Sequence, residues 1–170
     1  MKTKLLGLFA LIALLLGSIG CVGYRLGSML PPDIQTVYIP SFLNETSEPL
    51  IEVECHRATV EALQRDGSLR IGDEETSDAI ARIRLREYRI EPVVYDTTSR
   101  SNVKQYRIKM SASLVMTRRA DDKVIVERPT VRGEGVFNVA GDLSSSKLVG
   151  LPVAAEDLAR NIVQQMVEAW

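Results

Sequence analysis

Two stretches in the middle of the chain alternate between apolar and polar residues, which is typical of strands with one buried face. In the first stretch, which begins at Ala79, apolar residues alternate with arginines. The apolar positions are Ala81, Ile83 and Leu85, and the arginines are Arg82, Arg84 and Arg86. In the second stretch one face holds Tyr106, Ile108, Met110, Ala112, Leu114 and Met116, opposite Arg107, Lys109, Ser111, Ser113 and Thr117. The pattern predicts an antiparallel sheet with one face on a core and the other toward solvent.

Local breaks in this pattern predict the ends and irregularities of the strands. The apolar phase shifts at Tyr88 and Ile90, which predicts a bulge near Glu87. Pro92 is expected to end the strand or to lie at an edge, because proline cannot donate to a ladder. Residues 95–104 are expected to form a long polar turn. A third strand is predicted after a tight turn, over Val124-Ile125-Val126 and on through Val131, Gly133, Gly135 and Phe137.

Two amphipathic helices are predicted to flank these strands. The first is expected from about Glu48 to Arg65, capped by Thr46 or Ser47. Its apolar side is Ile51, Cys55, Ala58, Ala62 and Leu63. The last helix is expected to start at Pro152, after a flexible link over 142–150, with Trp170 packing beside it. Its apolar stripe is Ala155, Leu158, Ala159, Ile162, Met166 and Ala169.

The order of elements defines the expected fold class. A strand over 34–39 precedes the first helix, and a short strand over 69–71 follows it. Two helices covering the apolar face of the sheet give an α+β, two-layer sandwich with a mainly antiparallel sheet of about four strands.

The N-terminus has the pattern of an export signal that ends at a cysteine. Lys2 and Lys4 precede an apolar run over 5–16, and small residues lead to Cys21. The run is shorter than the roughly 20 residues that a spanning helix needs. The pattern predicts a lipoprotein signal peptide over 1–20, acylation of Cys21, a tether over 21–32 and one domain over 33–170. An ordinary signal peptide or an N-terminal anchor is the alternative.

Composition excludes several classes of function. Without Lys2 and Lys4 the mature chain has 19 basic and 22 acidic residues, a formal net charge of −3, which argues against a nucleic-acid binder. With Cys21 acylated, Cys55 is the one remaining cysteine and cannot form an intramolecular disulfide. His56 is the only histidine, and Glu52 is its expected local partner. No metal, cofactor or catalytic set is predicted.

The polar face of the predicted sheet is the candidate binding surface. It carries five cations on two strands, Arg82, Arg84, Arg86, Arg107 and Lys109. If the strands are neighbours these cations converge, and arginine suits phosphate because its planar fork donates two parallel hydrogen bonds. A solvated face partly neutralised by Glu87, Glu127 and Glu134 remains the alternative.

Several segments, taken in order, resemble the LPS-assembly lipoprotein family LptE. These are Cys21-Val22-Gly23-Tyr24-Arg25-Leu26, the run from Val37 to Thr46, Asp66-Gly67, Asp78-Ala79, Tyr95-Asp96 and Gln105-Tyr106-Arg107-Ile108. The resemblance implies two helices on one face of a mainly antiparallel sheet, and a protein that is not an enzyme. It also implies an outer-membrane lipoprotein, lipid-anchored at the periplasmic face, that assists assembly of the β-barrel LptD, plugs it and binds lipopolysaccharide. Lipid A carries phosphates, so the five cations are candidates for binding it.

Another kind of outer-membrane lipoprotein remains open as an alternative. Lipoproteins that activate a peptidoglycan synthase, or that serve a secretion apparatus, share a start like the run from Ile39 to Thr46 leading into a helix. Copurification distinguishes these classes: a β-barrel partner supports the LptE-like class, and a synthase or a secretion component supports the alternatives.

Overall fold

The computed structural model describes residues 30–95 and 103–168. Cys21, Ala169 and Trp170 lie outside these ranges, so the predictions about these three residues remain predictions. Six strands and two helices follow one another along the chain. They are β1 (Thr36–Tyr38), β2 (Leu43–Asn44), α1 (Ile51–Asp66), β3 (Arg70–Ile71), β4 (Ala79–Tyr95), β5 (Val103–Arg118), β6 (Val124–Asn138) and α2 (Leu143–Val167).

The strands form one mixed sheet, which corrects the predicted count and direction. Its order is β3-β1-β4-β5-β6, with β2 also paired to β4. The long strands β4, β5 and β6 are antiparallel, as expected, but β1, β2 and β3 all pair in parallel. The sheet therefore has six strands rather than about four. Strands at the positions of β1 and β3 were predicted, whereas β2, with two residues, is too short to show an alternating pattern.

Both helices pack on the same face of the sheet, as predicted. The buried residues of β4 and β5 are the apolar positions of the alternating pattern, and they join the apolar sides of α1 and α2 in one core. Ile83, Leu114, Cys55 and Leu158, for example, are each at most 2% exposed. The opposite face of the sheet carries the polar residues, so the molecule is a two-layer α+β sandwich with one open face.

The segment before α1 is ordered by side chains rather than by the expected helix cap. The helix begins at Ile51 instead of Glu48, and Leu50 precedes it with a φ of 65° and no side-chain cap. Asn44 instead donates to the Glu48 carbonyl and to the Glu52 carboxylate, and accepts from the Thr46 amide at 3.0 Å. Asn44 and Thr46 thus fix the entry into α1.

The irregularities of β4 are partly as predicted. The pairing with β5 shifts between Leu85 and Glu87, which confirms the bulge and leaves Arg86 without a partner residue on β5. The strand does not end at Pro92, however, but continues to Tyr95. Proline is tolerated there because this half of β4 pairs with β5 alone among the described strands.

The final helix is longer than predicted. It spans 25 residues from Leu143, so 142–150 is not a flexible link and Pro152 lies inside the helix. Asp142 caps the N-terminus by accepting from the Ser145 amide at 2.9 Å. No helix in the described part of the chain combines the length and the apolar character needed to cross a membrane.

The long helix lies very close to β6 because glycine faces it. A Cβ atom at Gly133 would come within 2.4 Å of the Leu158 backbone, and one at Gly135 within 2.6 Å of the Ala154 nitrogen. A larger residue at either position would therefore push α2 off the sheet.

Asp78 joins the first strand to the start of β4. Its Oδ2 atom accepts from the Gln35 and Thr36 amides and from the Thr36 hydroxyl at 2.7–3.0 Å, and the Asp78 amide donates back to that hydroxyl. The hydrogen bond from the Thr36 side chain, followed by that from the Gln35 amide, lowers the pKa of Asp78. Because the folded state holds the charged form, Asp78 contributes stability above its unfolded pKa of about 3.9, and this is lost as the pH falls through the folded pKa.

Asp78→Asn is expected to lower the free energy of unfolding by roughly 1–3 kcal/mol at pH 7, because it removes charge-assisted hydrogen bonds. Below about pH 3.9 the difference from wild type should shrink, because the unfolded carboxyl then takes up a proton while the folded one, whose pKa is lowered, still stays charged; the contribution of the charge is gone once the pH is below the folded pKa. Urea unfolding at pH 7 and pH 3 measures both values. A difference that is the same at both pH values would show that the charge of Asp78 contributes nothing.

Candidate functional site

The open face of the sheet carries all five predicted cations. Arg82, Arg84 and Arg86 project from β4, and Arg107 and Lys109 project from β5, opposite to the buried positions of the same strands. The two strands pair along almost their whole length. The structure therefore confirms that these residues share a face on neighbouring strands.

The register divides these cations into two groups. The lower basic group, Arg82, Arg84 and Arg86, lies beside Ser113, Val115 and Thr117 of β5. The upper basic group, Arg107 and Lys109, lies beside Glu91 and Arg89 of β4. Arg84 pairs with Ser113, which is four residues or about 13 Å along the strand from Lys109, and Arg86 lies between them at the bulge. The predicted convergence is therefore only partial, because antiparallel pairing places the two runs at different heights on the sheet.

Glu45 holds two members of the lower basic group. It lies directly after β2, where its amide donates to the Leu85 carbonyl at 3.0 Å. Its carboxylate forms ion pairs with Arg84, at 3.3 Å, and with Arg86. Arg82 has a different contact, a 3.4 Å hydrogen bond to the Thr117 hydroxyl. The parallel pairing of β2 with β4 thus brings an acidic residue to the site that the sequence pattern did not reveal.

Acidic residues also accompany the upper basic group. Lys109 Nζ lies 2.7 Å from Glu91, and Arg107 lies 3.7 Å from Glu134 of β6. The hydrogen bond from Lys109 is the main cause of the lowered pKa of Glu91. Glu134 was among the predicted neutralising residues, whereas Glu91 was not.

Two further arginines, Arg89 and Arg132, complete this part of the face. Together with Lys109, Ser111 and Glu87 they line a shallow groove that reaches the edge of the sheet at β6. Arg89 pairs with Lys109, and Arg132 pairs with Ser111. Both could have been found from the sequence, because Arg89 faces outward once the bulge shifts the phase, and Arg132 alternates with Val131 and Gly133.

The ion pairs on this face leave the cations available to a ligand. The side chains of Arg84, Arg86 and Lys109 are 55%, 53% and 44% exposed. Exposed pairs contribute only about 0–1 kcal/mol each, so an anion of higher charge density can replace the carboxylate at little cost. The arrangement suits reversible binding of phosphate groups at two separate points.

The one histidine and the remaining cysteine belong to the core packing. His56 Nε2 lies 3.1 Å from the Ile39 carbonyl and its ring meets Phe42 edge-on, while Glu52 bonds Asn44 instead of the expected His56. Burial raises the pKa of Cys55 to about 12. Within residues 30–95 and 103–168 no three Cys, His, Asp or Glu side chains are grouped as a metal would require.

Fold and site together define a small helix-backed sheet with a mixed-charge open face. Solved structures with this fold include a minor lipoprotein from Acinetobacter baumannii, which is 11% identical with a TM-score of 0.50, covering 78% of this chain and 92% of that one. The hypothetical protein CT253 from Chlamydia trachomatis is 11% identical with a TM-score of 0.54, covering 78% and 95%. PelC from Paraburkholderia phytofirmans, described as a dodecamer, is 12% identical with a TM-score of 0.51, covering 85% and 95%. At such low identity these likenesses show the fold alone.

The family is shown by the sequence itself. The model of the lipopolysaccharide-assembly family LptE matches residues 34–169, which includes every strand and helix described above. The chain therefore belongs to the LptE family. No curated protein matches the chain.

Proposed function

We propose that this protein is an outer-membrane lipoprotein that assists assembly of an LptD-type β-barrel, plugs it and binds lipopolysaccharide on its way to the outer leaflet. The observation that carries the proposal is the family match over the whole folded domain, residues 34–169. The protein acts by binding rather than by catalysis, and acyl chains on Cys21 hold it at the periplasmic face of the membrane.

The open face supports lipopolysaccharide as the ligand. Its cations form a lower and an upper group along the strands, with Arg84 and Lys109 about 13 Å apart in register, and lipid A carries phosphates that arginine and lysine can bind. Both groups lie on long, paired strands that hold the charges at fixed positions, and Arg84, Arg86 and Lys109 keep about half of their side-chain surface exposed. Because Glu45 and Glu91 compete for the same cations, binding is expected to be reversible, as a carrier requires.

Acylation of Cys21 is tested by metabolic labelling with palmitate. The mature protein should carry the label and begin at residue 21, and Cys21→Ser should carry none. Two or three acyl chains give a stable anchor, since each buried CH₂ contributes about 0.8 kcal/mol. An unlabelled wild-type product with its N-terminus elsewhere would exclude the anchor.

Copurification tests the partner. Pulled down from its native membranes, the protein should bring an outer-membrane β-barrel of the LptD type. Recovery of a peptidoglycan synthase or of secretion components, without a barrel, would instead support the competing classes of lipoprotein.

Reversing one charge in each basic group tests the ligand. Arg84→Glu combined with Arg107→Glu should weaken lipopolysaccharide binding by about tenfold or more, because two attractive contacts become repulsive. The loss should be largest at low ionic strength, where screening is weakest. Binding is measured on immobilised lipopolysaccharide at two salt concentrations.

Two control variants sharpen this measurement. Arg65→Glu changes a charge at the end of α1, away from the open face, and should leave binding unchanged. Glu45→Gln releases Arg84 and Arg86 from their acidic partner and should bind at least as tightly as wild type. Unchanged binding by the double reversal would remove Arg84 and Arg107 from the site.

A further inference from the structure

The second half of β4 is paired on one side only. Before the bulge, β4 pairs with β5 on one side and with β1 and β2 on the other. From Glu87 to Tyr95 the described strands supply a partner on the β5 side alone. We call the other side of this segment the free edge.

The register shows which backbone groups point to the free edge. The Arg119 amide donates to the Asp78 carbonyl, so the odd-numbered residues of β5 turn their backbone groups toward β4. Glu87, Arg89 and Glu91 pair with odd-numbered residues of β5, so their amides and carbonyls serve that ladder. The remaining positions, Tyr88, Ile90 and Pro92, therefore face the free edge. Pro92, which has no N–H, occupies a position where no ladder bond to β5 is lost.

The opposite edge of the sheet, in contrast, is closed by side chains of α2. The outward amide of Glu134 on β6 donates to Asp157 Oδ2 at 3.0 Å, and the outward carbonyl of Arg132 accepts from Asn161 Nδ2 at 2.8 Å. Asp157 and Asn161 are four residues apart, so they project from one side of the helix. Helix α2 thus satisfies two backbone groups in the middle of β6 that another strand would otherwise bind.

The predicted tether of the chain is too short to cover the free edge. Asp33 forms a 3.1 Å ion pair with Arg118, which pairs with Ala79 at the beginning of β4. Tyr95 lies at the other end of this 17-residue strand, about 53 Å away. Residues 21–29 reach at most about 30 Å when fully extended. The tether therefore reaches at most the start of the free edge, near Tyr88, about 30 Å from Ala79, and a strand that pairs along the rest of the edge comes from another polypeptide.

The side chains beside the free edge define the strand that fits. On the helix side Tyr88 and Ile90 pack only partly into the core, and the Tyr88 hydroxyl has no hydrogen-bond partner among the described residues. On the open face Glu87, Arg89 and Glu91 alternate in sign. The complementary strand is amphipathic, with apolar side chains toward Tyr88 and Ile90 and charged or polar ones on the open face.

We propose that the free edge binds an extended amphipathic strand of the barrel partner by β-augmentation. This inference rests on the function proposed above. The wall strands of a closed barrel are already paired on both sides, so the strand that binds is a segment of the barrel protein outside its wall, with the period-two alternation that the two faces of the free edge require. Backbone hydrogen bonds to Tyr88 and Ile90 supply affinity, and the alternating side chains supply selectivity. The bulge at Arg86 and the residue Pro92 are features that discourage indiscriminate pairing of an edge.

Residue-resolved amide hydrogen exchange tests the inference on the full chain, alone and in complex with the barrel that copurifies with it. The amides of Tyr88 and Ile90 should exchange at least tenfold more slowly in the complex. The amides of Glu87, Arg89 and Glu91, already bonded to β5, should change much less. This alternation is the signature of an added strand, whereas a loop that merely covers the surface would protect neighbouring amides alike.

A matched pair of variants separates the backbone bond from side-chain packing. Ile90→Pro removes both the side chain and the outward N–H, and Ile90→Ala removes the side chain but keeps the N–H. The proline variant should bind the barrel at least tenfold more weakly than the alanine variant. Circular dichroism of both variants verifies that β4 and β5 remain paired.

Each outcome decides between the two proposals. A barrel that binds without protecting Tyr88 and Ile90, and equally well to both variants, would overturn the added strand and leave the proposed function standing. If no barrel binds, the proposed function fails and the added strand fails with it. Protection of the same amides in the chain alone, rising with its concentration, would assign the edge to a second copy and overturn the inference.

Discussion

The close contact between α2 and β6 is the constraint on which the rest of the structure depends. Gly133 and Gly135 have no side chains to hold the helix away, so the backbone of α2 lies directly on the sheet at Leu158 and Ala154. At this distance Asp157 and Asn161 can reach the outward backbone groups of β6. This helix thereby covers part of the apolar face and also satisfies two backbone groups at one edge of the sheet.

The functional surfaces are what this arrangement leaves uncovered. With both helices on one face, the other face of β4, β5 and β6 stays open along its length. Helix α1 begins only at Ile51, after β2 has paired with Arg84 and Leu85, so the second half of β4 also keeps one free edge. A polar face with exposed ion pairs and a strand edge that has no partner among the described strands are both suited to binding, and neither requires a catalytic group.

The sequence predicted the parts of the fold that a period of two or 3.6 residues can encode. The alternation around Ile83 and Leu114 and the apolar side of α1 identified most of the core, because each long element buries one regular face. The bulge was visible as a phase shift at Tyr88. Strand β2 was not predicted, since two residues cannot display a period. The start of α2 was wrongly predicted at Pro152, because proline is more common in the first turn of a helix than in its interior.

The site was predictable in composition but not in arrangement. That Arg84 and Arg107 share a face follows from alternation within each strand. Their separation follows from the register, which is set by long-range pairing and cannot be seen within either strand. Glu45 reaches Arg84 and Arg86 only because β2 lies beside β4, a contact between residues about 40 positions apart in the chain. Neutralisation of the cations is thus a property of the tertiary structure.

The central claim is that the open polar face, and not the helix layer, binds the ligand. The helix layer offers a competing surface, since Leu50, Val53, Leu148 and Val149 are 63–72% exposed. The most direct measurement is an amide NMR titration of the delipidated domain with lipopolysaccharide. The account predicts chemical-shift changes at Arg82–Arg86 and at Arg107–Lys109, with little change around Leu50 and Leu148. Changes confined to Leu50, Val53, Leu148 and Val149 would contradict it.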